Sequence, residues 1–185
     1  IGTIILQEVI FMKEPVMLDH AGAWRVYLGG RCIRALRGEP SPVDDHFPEE
    51  WIASTVEAAG AGALPGAGLT AHSTLRDEIA AAPEVWLGEE FVRRHGPGCG
   101  VLLKLLDAAE RLNVQVHPSR SDARRFWNSP YDKLECWHFL EGRSVNGQPP
   151  CFYLGLRQDV DEAKLRRAFY SGDPRQVLNC MYRFP

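Results

Sequence analysis

Residues 112–118 read LNVQVHP, and Gln115 and His117 stand two apart within them. On an extended chain successive side chains alternate between faces, so Asn113, Gln115 and His117 share one face while Leu112, Val114 and Val116 share the other. An amide oxygen and an imidazole nitrogen on one strand face, joined by a carboxylate from a neighbouring strand, form a donor set that suits zinc. Glu135, in the run LECWHFLEG, is a candidate for that carboxylate. The face it would share with Trp137 and Phe139 is apolar, and an ionised carboxylate there needs a cation or a strong hydrogen-bonding partner. Lys104 lies in the middle of VLLKLLD, where a charged group must reach an edge of the sheet or be held for a purpose. Residue types alone leave two readings open. In one, Gln115, His117 and Glu135 hold a metal ion. In the other, the valines face a core, the amides and imidazole face water, and Glu135 sits in an ordinary ion pair.

Several elements have to position these groups. From Gly100 onward VLLKLLDA, LNVQVHP, LECWHFLEG and CFYLGLR are short strand-like runs broken by turns, the spacing expected of an antiparallel sandwich or barrel. Before them, GAWRVYLGGRCIRALRG suggests a strand, a Gly29-Gly30 turn and a short helix, followed by a loop rich in Pro and Asp up to Pro48. Two adjacent glycines lack the spacing of a dinucleotide or phosphate loop, so a tight turn is expected there. EEWIASTVEA alternates like a strand, and GAGALPGAGL reads as a surface loop. Thr74 and Asp77 form a capping-box pattern ahead of a helix, and PEVWLGEEFVRRH reads as one further helix ended by Gly96 and Pro97. After the strand-like runs, Asp161 can cap the helix EAKLRRAFY, Gly172 ends it, and Asp173-Pro174 starts another. The final residues, CMYRFP, are expected to follow that helix without a closing strand.

The 185 residues are enough for one domain, and 45% hydrophobic content can fill a core. A formal net charge of -3 gives no bulk reason to expect a nucleic acid or an anionic membrane as partner. The five cysteines are odd in number, scattered, and form no C-x-x-C pair. That pattern argues against a disulfide framework or a cysteine zinc finger and fits a reduced, cytoplasmic setting. IGTIILQEVIF lacks the basic start, cleavage site and length of a targeting or spanning segment. Met12 is a candidate start, which would make residues 1–11 an upstream segment; the alternative is an amino-terminal strand.

LLKLLDAAERLNVQVHPS followed by KLECWHFLEG resembles the core of class I mannose-6-phosphate isomerases, zinc enzymes of the cupin type. FPEEWIAS is similar to that family's Glu-x-Trp segment, LGEEFVRRHGPGCGVLLKLLDA to the helix leading into its first cupin strands, and FYLGLRQDVDEAKLRRAFYSGDPRQVLN to its helical connection after the Glu ligand. The resemblance runs from about Met12 to the end, as one domain over residues 12–185. It implies a mainly β fold, a cupin jelly roll (double-stranded β-helix) with inserted and flanking α-helices, incomplete within this sequence.

Carried over residue by residue, the resemblance makes Gln115, His117 and Glu135 zinc ligands, and it makes Lys104 and Lys133 catalytic and substrate-binding groups lining a sugar-phosphate pocket. Asn113 stands where the family often has a serine, and its amide can still donate a hydrogen bond to substrate. Residues 133–135 read Lys-Leu-Glu in place of the frequent Lys-Pro-Glu. The family's fourth ligand, a histidine, and its catalytic arginine lie in a carboxy-terminal part with no counterpart in these residues. The implied activity is zinc-dependent interconversion of mannose 6-phosphate and fructose 6-phosphate by a longer parent protein. These 185 residues alone are expected to be inactive and to self-associate through unpaired strand edges. The rival expectation is a non-catalytic, degenerate cupin-like module that binds a sugar or a metal.

Overall fold

The computed structural model describes residues 16–20, 22–56, 68–70, 73–129 and 131–185, and the chain divides into two units, Ile1–Leu112 and Asn113–Pro185. The first holds β1 (Gly22–Ala23), α1 (Arg31–Leu36), β2 (Glu49–Ala53), β3 (Gly68–Thr70), β4 (Ser73–Thr74), α2 (Leu75–Ala81), α3 (Pro83–Leu87), α4 (Glu89–His95) and β5 (Leu103–Leu106). The second holds α5 (Arg120–Trp127), β6 (Phe152–Leu156), α6 (Glu162–Tyr170), α7 (Pro174–Leu178) and β7 (Met181–Phe184). Residues 1–11, and most of the glycine-rich run after Glu57, lie outside the described residues.

In the first unit β2 is the middle strand of an antiparallel sheet ordered β1-β2-β5. With a neighbour on each edge its first three residues, Glu49, Glu50 and Trp51, are all buried. The register sets Trp51 opposite Lys104 and Glu49 opposite Leu106, so Lys104 and Glu49 are diagonal neighbours on one face, within reach of a long side chain. The Gly29-Gly30 turn packs against β5's end: a Cβ on Gly29 would sit 1.9 Å from the Asp107 carbonyl oxygen, which no larger residue tolerates. Gly30, at φ +96, leads into α1. The Asp107 carboxylate takes the free amides there, accepting from Gly30 N at 3.1 Å and Cys32 N at 2.7 Å. A negative group satisfying the first turn of a helix is what the exposed amides and dipole favour.

Thr74 caps α2 as its spacing predicts, accepting from Asp77 N. The next helical run is not continuous: Gly88, at φ +82, ends α3 and precedes α4. A left-handed residue cannot propagate a right-handed helix, and glycine reaches that conformation without a Cβ clash.

In the second unit Asp161 and Asp173 cap α6 and α7, accepting from Lys164 N and Arg175 N, with Pro174 in the first turn of α7. The end of the chain differs from the sequence expectation, because residues 181–184 of CMYRFP form β7, paired antiparallel with β6. Two of the expected strands also differ. LNVQVHP and LECWHFLEG carry the alternation of strands but lie in no hydrogen-bonded ladder. Side-chain period is a property of the run itself, whereas a ladder needs a neighbour about 4.7–4.9 Å away. LECWHFLEG is instead tied to the β6–β7 ribbon by rings: Trp137 meets Phe139 edge-on at 6.0 Å, Phe139 stacks on Phe152 at 4.9 Å, and Phe152 stacks on Phe184 at 5.0 Å. Among the described residues the ladders are short and do not by themselves delineate a jelly roll.

Candidate functional site

Pro118 biases His117 toward an extended backbone, and Ser119 then caps α5, its hydroxyl accepting from Asp122 N at 3.2 Å. At the other end Asn128 adopts φ +51 as the left-handed cap, and Ser129 N donates to Ala123 O at 3.1 Å. Helix α5 with its two caps is therefore the spacer that turns the chain from His117 back to residues 133–135. His117 Nε2 lies 3.2 Å from Glu135 Oε2, and Lys133 Nζ lies 3.7 Å from Glu135 Oε1. Both His117 and Glu135 are half-buried.

Around this pair the alternation is inverted relative to an ordinary core strand. Val116 is 92% exposed and Leu134 99% exposed, while the polar neighbours His117 and Glu135 are the ones covered. Three of the expected site residues, His117, Glu135 and Lys133, are thus brought together in the second unit. Gln115 and Asn113 are exposed on the same stretch. Among the described residues no group of three His, Cys, Asp or Glu stands close enough to hold a metal ion. The pair itself fits zinc. Two ligands bound at about 2.0–2.1 Å on adjacent corners of a tetrahedron stand roughly 3.3 Å apart, close to the observed separation.

Lys104 has a different setting, in the first unit. Its Nζ is 3.4 Å from Glu49 Oε2. That carboxylate, 4% exposed, also accepts from Arg25 Nη2 at 2.8 Å and Trp51 Nε1 at 2.8 Å on Oε2, and from the Tyr27 hydroxyl at 2.6 Å on Oε1. Burial alone would raise the Glu49 pKa, but the hydrogen bonds from Arg25, Trp51 and Tyr27 and the nearby Lys104 charge outweigh it and hold the group at about 2. The Tyr27 hydroxyl is driven the other way, above its ordinary value, by burial and by its bond to the Glu49 carboxylate. On the opposite face of β2, Glu50 pairs with Arg37 and His20. Burial pushes its pKa up, and the bonds from Arg37 and His20 bring it below the ordinary carboxylate value.

Sequence reasoning placed Lys104 as functional but gave no role to Glu49, Tyr27 or Arg25. The available signal was the adjacent pair Glu49-Glu50 ahead of Trp51 in a strand pattern. Two charges in a row on a central strand force one onto each face, and each then needs its own cation.

Over 133 residues the chain is 31% identical to a protein of Bacillus subtilis (strain 168) named as a probable mannose-6-phosphate isomerase. The similarity is to a sugar isomerase. The aligned part takes in 70% of this chain and 38% of that protein, so the chain spans well under half of its relative's length. No family model matches the chain, and no solved structure matches it. Among the described residues no helix is long and apolar enough to cross a membrane.

Proposed function

We propose that this chain is the zinc-binding and substrate-binding part of a cupin-type mannose-6-phosphate isomerase acting in the cytoplasm. The observation that carries the reading is the His117–Glu135 pair, half-buried and 3.2 Å apart while the apolar side chains beside it point to solvent. A sequence that covers its imidazole and carboxylate and exposes its valine and leucine spends hydrophobic burial to keep two donors facing each other. Gln115 supplies the third donor, two residues from His117.

The reaction moves a proton from C2 to C1 of the sugar while the hydroxyl proton passes from O2 to O1, through an enediol. Bound zinc would supply Lewis-acid stabilisation of charge on the substrate oxygens. Lys133, next to Glu135, presents an ammonium to the substrate's phosphate or to that charge, as point cations do. The family resemblance also gives Lys104 and Asn113 substrate-binding roles, the first through an ammonium and the second through an amide donor. Among the described residues the β6–β7 ribbon has no further strand on either edge, and in this reading those edges would be the self-associating surface.

The test is turnover of mannose 6-phosphate, coupled to detection of fructose 6-phosphate, by the protein that carries these residues. His117→Ala and Glu135→Gln should abolish turnover and weaken zinc binding with the fold intact. Zinc binding without any turnover of mannose 6-phosphate would support the non-catalytic module instead. Full turnover in both variants would overturn the site.

A further inference from the structure

We infer that Glu49 is a positioning residue for Lys104, and that Tyr27 and Arg25 act on Lys104 through it. The inference rests on the isomerase reading for its functional consequence but on geometry for its content. A carboxylate that is 4% exposed and bonded on both oxygens is a fixed point in the sheet. Tyr27 holds Oε1, while Arg25 and Trp51 share Oε2 with Lys104. Arg25 is itself held, since its Nη1 donates to Trp24 O at 2.7 Å and its Cζ lies 5.2 Å from the Trp51 ring centroid. Four of the five groups therefore have little freedom, and Lys104 joins them through its ion pair with Glu49.

Counting charge, Arg25 and Lys104 face the one carboxylate of Glu49, which leaves one positive charge in excess in a partly buried cluster. Lys104 is also the member with donors to spare, because an ammonium carries three N–H groups and the described structure gives it Glu49 as its ion-pair partner. With its side chain 22% exposed, it can offer the remaining donors outward. The class of ligand this suits is an anionic or hydroxyl-rich oxygen on the substrate. The tether through Glu49 removes rotamer freedom from a long side chain before substrate arrives, which is where preorganisation acts.

The experiment is trace acetylation of the folded chain, with each lysine's reactivity read by peptide mass spectrometry. Tyr27→Phe and Glu49→Gln should raise the labelling of Lys104 by about 2- to 10-fold, the equilibrium equivalent of one lost hydrogen bond, while Lys133 and Lys164 stay unchanged. Tyr27→Phe removes one oxygen and leaves the carboxylate with its other partners, so it keeps the test decisive if Glu49→Gln fails to fold. Unchanged Lys104 labelling in a folded variant overturns the inference. A second arm uses turnover of mannose 6-phosphate: Tyr27→Phe should lower kcat with KM little changed, and should cost nothing further in a Lys104→Met background. Equal losses in both backgrounds would mean a merely structural role. Altered labelling with no turnover in the parent protein would defeat the isomerase reading and leave the positioning network standing.

Discussion

The two units hold their charged residues in opposite ways. In the first, Glu49 is buried, bonded by Arg25, Tyr27 and Trp51 and paired with Lys104. In the second, Glu135 is half-buried with two loose neighbours, His117 at 3.2 Å and Lys133 at 3.7 Å. A carboxylate bonded on both oxygens by side chains that are themselves held builds structure. One with an imidazole and an ammonium at 3.2 and 3.7 Å keeps coordination capacity to spare. The contrast sets a fixed Glu49 against a Glu135 that, in the proposed reading, serves as a zinc ligand.

Breaking the saturated cluster should have the largest effect. Glu49→Ala leaves a guanidinium, a phenol, an indole N–H and an ammonium without their shared acceptor, and should cost about 3 to 5 kcal/mol, as removal of one partner of a buried ion pair does. Urea unfolding of the two proteins side by side measures it. The same carboxylate should dominate the acid side of the stability curve. Its pKa is depressed from 4.5 to about 2 in the folded state. Its stabilisation is therefore fully present above the ordinary value and is lost as the pH falls from about 4.5 toward 2. Glu49→Gln should flatten that limb, and Glu50, also depressed through Arg37 and His20, should account for part of what remains.

In the open pair the effect should appear in metal affinity and not in folding. His117→Ala or Glu135→Gln should weaken zinc binding by at least about 10 to 100-fold, the loss typical even of groups that only support a ligand, with melting temperature in the absence of metal hardly moved. Calorimetric titration against a competing chelator reads this difference. The smallest effect sharpens the comparison most. Val116→Ser and Leu134→Ser should change stability by less than about 0.5 kcal/mol, since both side chains stand in solvent. If Val116 faced a core, its loss would approach the cost of unburying a valine, about 1.5 kcal/mol or more.

The caps were the most legible part of the sequence. Thr74, Asp161 and Asp173 do what their spacing says because a cap is decided within four residues. The tight turn at Gly29-Gly30 was legible for the same reason. The pairing of His117 with Glu135 could be anticipated from alternation plus a family likeness, yet the direction of that alternation could not. Val116 and His117 compete for the covered side, and what neighbours them decides the outcome. The ladders failed for LNVQVHP and LECWHFLEG, where the rings of Phe139, Phe152 and Phe184 take over the holding. The split at Gly88 was readable in principle, since glycine in a helical run marks where the chain can leave it. The Glu49 cluster was the least legible, because its partners come from residues 25, 27, 51 and 104, and long-range register joins them.

The most direct test of the central claim is X-ray absorption at the zinc edge on the chain loaded with one equivalent of the metal. The spectrum should show a shell of nitrogen and oxygen at about 2.0–2.2 Å that includes one imidazole, and should lose that imidazole signature in His117→Ala. Cys136 is exposed beside Glu135, and Cys151 is exposed in the same unit, so a thiolate is the natural competitor. Sulfur at about 2.3 Å, or a spectrum unchanged by His117→Ala, would contradict it.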